Sequence, residues 1–118
     1  MSQASKQIDW CLKKAQKDIA EQKGKNKSKH RGLLKIKQNV KGAEGNIKKA
    51  EHNLNVAEYL VNGGFSDASV GSIFYAMYQC FLAIAAKFGY ESRNQTCTIS
   101  LIEYLREQNK IELDSKFI

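Results

Sequence analysis

Two groups of side chains in this 118-residue sequence could do chemistry by type and spacing. The first is Lys23, Lys25, Lys27, Lys29 and Arg31, a cation at every second position with no apolar residue between them. Such a run neutralises phosphates, and its affinity falls steeply as salt rises. No aromatic ring interrupts it, so it offers charge without the stacking that holds bases. A solvated connection between helices has the same composition. The second group is Ser72, Tyr75 and Gln79, at steps of three and four, with Tyr78 on their flank. That spacing puts the polar tips on one helical face. If buried they need partners: either neighbouring helices, or a ligand in a groove or dimer interface with Arg93 and Asn94 at its rim.

Proton transfer near neutral pH is the work of histidine, and the chain has two. His30 lies in the cationic run, where no fixed structure is expected. His52 has Lys48, Lys49 and Glu51 as neighbours, which places it on a solvated face. There is no G-x-x-x-x-G-K-[ST] loop, no G-x-G-x-x-G after a strand, and no Gly-Ser with paired Asp to hold nucleotidyltransferase metals. No catalytic residue, metal site or cofactor is therefore expected. Cys11, Cys80 and Cys97 are odd in number and widely spaced, with no C-x-x-C pair. This speaks against a disulfide framework and a zinc ribbon, and a packed thiol is expected at Cys97.

Around these residues the composition allows one domain spanning residues 1–118: 42% apolar, 26% charged, no proline. The net charge of +7 is split, with +10 in residues 1–49 and −3 in residues 50–118. An anionic partner or a second copy, basic end to acidic end, would answer it. The polar, amphipathic N-terminus does not read as a signal peptide, so a soluble cytoplasmic protein without a membrane partner is expected.

Four helical segments position the candidate residues. Ile8, Leu12, Ala15 and Ile19 predict a helix over 3–22, capped by Ser2 or Ser5. Residues 23–32, with Gly24 and Gly32, read as a flexible basic loop. Alternating three- and four-residue spacing from Leu33 to Val61 predicts a second helix from about Asn39 to Asn62, stopped by Gly63-Gly64, with 33–38 undecided. Nineteen uncharged residues, Ala68 to Ala86, predict a buried central helix capped by Ser66 or Asp67. The length would admit a membrane span, but Ser69, Ser72, Tyr75, Tyr78 and Gln79 argue for a soluble bundle. Residues 90–95 read as a polar connection and Thr98–Gln108 as a fourth helix, capped by Thr96, Thr98 or Ser100. Asp114 reads as the cap of a further helix, which the chain end at Ile118 would truncate or limit to a short turn. With no strong strand signal, the expected fold is all-α: an antiparallel up-and-down bundle of four to five helices.

Ser72-Ile73-Phe74-Tyr75-Ala76-Met77-Tyr78 resembles the Tyr-Tyr-Ala-Met-Tyr/Phe signature of HEPN domains (higher eukaryote and prokaryote nucleotide-binding). Trp10-Cys11-Leu12-Lys13-Lys14, Lys48-Lys49-Ala50-Glu51 with Leu54, and Cys97-Thr98-Ile99 before Leu101-Ile102-Glu103-Tyr104 are similar to elements of small archaeal and bacterial members. The resemblance covers most of residues 7–118. It implies a helical bundle that forms a homodimer and is often paired with a minimal nucleotidyltransferase, some members being ribonuclease toxins of toxin–antitoxin systems. The nuclease members carry Arg-x4-6-His. Here Arg93-Asn94 begins that pattern, but no histidine follows His52, Gln95 stands where relatives often have His, and Phe74 replaces the first signature Tyr. The expected role is thus a non-catalytic binding or partner module for a nucleotide or substrate. The alternatives are a metal-independent ribonuclease with an atypical site at Arg93/Asn94, and a basic RNA-binding domain using the 23–31 run.

Overall fold

The computed structural model describes residues 2–21 and 29–112. Within them the chain forms α1 (Gln3–Ala20), β1 (Leu33–Lys35), α2 (Val40–Asn62), α3 (Ser66–Lys87), β2 (Tyr90–Ser92) and α4 (Gln95–Glu107). The architecture is an all-α helical bundle carrying one small antiparallel ribbon. Lys23, Lys25, Lys27 and the helix expected at Asp114 lie outside the described residues.

Local signals set most boundaries. The Ser2 hydroxyl accepts the Ser5 amide and caps α1, and the Asn39 side chain accepts the Gly42 amide and caps α2. Gly63 ends α2, and Gly64 turns the chain at φ 86° into α3. Two expected caps are corrected. Phe65 occupies the cap position of α3 without a side-chain bond, so Ser66 and Asp67 are first-turn residues. Asn94, rather than Thr96, Thr98 or Ser100, caps α4 through its bond from the Cys97 amide, and the helix begins at Gln95.

The ribbon was not foreseen. Leu33, Leu34 and Lys35 pair with Ser92, Glu91 and Tyr90, so the undecided 33–38 stretch and the expected polar connection hold each other. Three residues per strand leave no alternation to read in a sequence. The Arg93 amide extends the ladder to the Gly32 carbonyl at 3.0 Å. Gly32 is required there: a Cβ would collide with the Cys11 carbonyl and the Ala15 amide of α1.

The packing divides into two regions. In one, α2 and α3 form a hairpin whose seam is built from small residues, Ala50 and Ala57 against Ser69, Ala76 and Ala83. Small residues let two backbones approach closely but bury little apolar area. In the other, Ile8, Leu33, Ala85, Leu101 and Leu105 close the main core around Cys11 and Cys97. Those two cysteines are joined by a disulfide, which corrects the expectation of a packed thiol at Cys97; the free cysteine is Cys80. Spacing could not reveal the pair, because 86 residues separate its members and the odd count leaves the partner open. A crosslink closing so long a loop stabilises the fold by about 4.5 kcal/mol in the chain-entropy account.

The central helix α3 belongs to both regions. Its C-terminal half is buried, with Phe81 at 8% exposure and Ala85 at 1%. Its N-terminal half carries the same apolar stripe outward: Val70 at 65%, Ile73 at 47% and Phe74 at 45%. By length and hydropathy α3 is also long and apolar enough to cross a membrane, and 33% of that stretch is buried within the fold.

Candidate functional site

The densest polar chemistry lies where α1 meets the ribbon, in an open cleft of about 720 Å³. One wall is α1 and its C-cap, presenting Lys14, Asp18 and Glu21; the other is Lys29, His30, Arg31 and Arg93. Lys14 and Asp18 are one helical turn apart and form a 2.6 Å ion pair. The second carboxylate oxygen of Asp18 accepts the Arg31 amide at 2.8 Å, which fastens the incoming chain to α1. Lys14, with the Arg31 amide as the next cause, holds the Asp18 carboxyl below the ordinary aspartate range.

His30 is the residue that sequence reasoning placed wrongly. It was expected in a segment without fixed structure, yet its side chain is fully buried. Its Nδ1 accepts the Gly32 amide at 3.2 Å, so Nε2 carries the ring proton and donates it to Glu91 Oε1 at 2.9 Å. Arg93 Nε forms an ion pair with the same Glu91 oxygen at 3.2 Å. One carboxylate thus joins the imidazole from the N-terminal half to the guanidinium from the C-terminal half. Because 61 residues separate His30 from Glu91, no local pattern announces the pair.

Four cations, Lys14, Lys29, Arg31 and Arg93, face the carboxylates of Asp18, Glu21 and Glu91 and leave a small excess of positive charge. Lys14 and Arg93 spend one contact each on carboxylates, and Arg31 turns its amide to Asp18 while its guanidinium stays exposed at the cleft. Lys29 also lines the cleft, so the described end of the basic run feeds into it. Exposed guanidinium groups suit phosphate oxygens, which they bind in bidentate fashion.

Of the residues singled out from sequence, the cleft brings together Lys29, Arg31 and Arg93. Asn94 stands beside it as the α4 cap, and its Nδ2 donates to the Arg31 carbonyl at 3.2 Å. Tyr78 connects to the region through the Thr98 hydroxyl, 3.2 Å away. Thr98 in turn donates within 3.0 Å to Ser92 and the Asn94 carbonyl. Ser72, Tyr75 and Gln79 do not line this cleft: Tyr75 is exposed, Ser72 is half-buried, and Gln79 is buried with its Oε1 unbonded. His52 is exposed, as its neighbours suggested, and Trp10 is exposed on α1. Compared with protein-family models, curated proteins and solved structures, the chain matches none.

Proposed function

We propose that this protein is a HEPN-like, non-catalytic binding module whose cleft takes the phosphate groups of a nucleotide or nucleotide-bearing substrate. In that role it would serve as the binding partner of a minimal nucleotidyltransferase or act within a toxin–antitoxin pair. One observation carries the preference for binding over catalysis: both ring nitrogens of His30 are engaged inside the fold, while the Arg31 and Arg93 guanidinium groups line the open cleft. An imidazole so occupied has no free nitrogen to exchange a proton with a ligand. Homodimerisation belongs to the same proposal. Val70, Ile73 and Phe74 form an apolar stripe with no cover among the described residues, of the kind that marks an interaction surface.

The test is calorimetric titration of ATP into the protein and its Arg31→Ala/Arg93→Ala double variant. Affinity should fall at least tenfold in the double variant and decline with added salt in the parent. Equal affinity in the two proteins would sink the cleft as the ligand site.

A second reading is favoured by the meeting of His30 and Arg93 on one carboxylate, which assembles in space the Arg and His that nuclease relatives carry in sequence. Metal-independent cleavage of a fluorescent oligoribonucleotide, abolished by His30→Ala, would select that reading. RNA binding without cleavage, lost with salt and with Lys29 and Arg31 neutralised, would select the basic RNA-binding domain.

A further inference from the structure

The two walls of the cleft are joined by one covalent bond. Cys11 lies on α1 one turn before Lys14, and Cys97 lies in the first turn of α4, four residues after Arg93. Their disulfide therefore ties the helix that carries Lys14 and Asp18 to the helix entered from Arg93. Apart from the bond, α1 is held by Ile8 in the main core and by Leu12 packed against it. The buried residues of α1 are Ala4, Ile8, Cys11 and Ala15, and three of these four bury little apolar area. Beyond the core, the Asp18 carboxylate links the walls through its bond from the Arg31 amide. The α2–α3 hairpin makes its own seam and holds neither cysteine of the pair.

We propose that the Cys11–Cys97 disulfide is a redox latch on the cleft: its reduction releases α1 from α4 and lowers the affinity of the site for phosphate-bearing ligands. This rests on the cleft being the ligand site. The step is a thiol–disulfide exchange with a dithiol as the two-electron reductant. A thiolate of the dithiol attacks Cys11 Sγ, the S–S bond breaks, and its electron pair leaves on Cys97 Sγ. The second thiol of the reductant then displaces Cys11 from the mixed disulfide. Two protein thiols and one cyclic disulfide result, with protons shared through water. Exchange with a small-molecule disulfide restores the bond. Both cysteines are wholly buried, so the reductant reaches the bond only during transient local openings of the oxidised fold, and the latch opens slowly. In a reducing compartment a bond of this kind reports a change in conditions, whereas in an oxidising one it stays closed.

The experiment uses the full chain, oxidised or pre-incubated with dithiothreitol, and reads two quantities: ATP affinity and amide hydrogen exchange. Cys80→Ser serves as the parent so that Cys80 cannot reshuffle, and Cys11→Ser in that parent mimics the open state. ATP should bind the oxidised protein at least tenfold more tightly than the reduced one. The Arg31 and Gly32 amides, bonded to Asp18 and His30, should lose protection on reduction while the α2–α3 amides keep theirs. Unchanged protection at Arg31 and Gly32 overturns the latch whatever the affinity does. Loss of protection throughout the chain also overturns it, since the bond would then support the whole fold. Local opening with no ATP binding in either state retains the moving wall but overturns both the ligand reading and the control of affinity. Local opening with equal affinity overturns the control of affinity alone.

Discussion

The two halves of α3 have nearly the same apolar character and opposite fates. Val70, Ile73 and Phe74 continue at helical spacing into Phe81, Ile84 and Phe88, yet the first three are exposed and the last three pack in or beside the core. The difference lies in what returns over them. At 1.5 Å per residue α3 is about 33 Å long, whereas the 13-residue α4 spans about 20 Å and cannot cover it all. Below the covered half, α1, α4 and the ribbon converge, a disulfide fastens them, and the polar cleft forms at their edge. Along α2 the outer residues Val40, Ile47, Leu54 and Val61 recur every seven residues and remain exposed; Leu54 and Val61 fall toward the uncovered half of α3, whereas Val40 and Ile47 lie beside Cys80, Ala83 and Lys87 of the covered half. One end of the molecule is a closed core with a site at its margin. The other is a helical layer with an apolar surface still to cover.

Truncation at matched leucines should expose this contrast most strongly. Leu101→Ala removes a fully buried side chain from the closed core and should cost about 3 kcal/mol in urea unfolding. Leu54→Ala removes a half-exposed one and should cost under about 1 kcal/mol. Equal costs would mean that the hairpin is as enclosed as the core. Next in size is a charge on the open stripe. Phe74→Glu should leave monomer stability within about 0.5 kcal/mol but convert a dimer to monomer in sedimentation at micromolar concentration. A monomeric parent, or a variant that still pairs, would remove that face from the homodimer proposal.

The smallest effect sharpens the cleft itself. Asp18 has its carboxyl lowered in the folded chain, so its bonds to Lys14 and the Arg31 amide contribute above its ordinary value of 3.8 and are lost as pH falls through the lowered one. An NMR titration following the Arg31 amide should show a midpoint below 3.8, and a midpoint at or above it would contradict the bonding described.

Much of the scaffold could be read from short-range pattern. Ser2, Asn39, Gly63 and the three- and four-residue spacings sit within a few positions of the boundaries they set. The cap of α4 was misread because Asn94, Thr96, Thr98 and Ser100 all have side chains able to accept an amide, and only the emerging geometry of β2 selects among them. Of the site, Lys29, Arg31 and Arg93 were visible as cations, but their gathering was not. Ser72, Tyr75 and Gln79 show the reverse, a face that spacing predicted and that the fold left outside the cleft.

The helices, their apolar stripes and the excess of cations in the first half are legible in the residues alone, because hydrogen bonding and side-chain spacing along a helix are properties of neighbours within four residues. Tertiary structure alone decided that Cys11 meets Cys97, that His30 and Arg93 share Glu91, and which half of α3 is covered. Those contacts span 86 and 61 residues or depend on the relative lengths of packed helices. Such pairings form only when distant segments are brought together to bury the core, and no local preference encodes them.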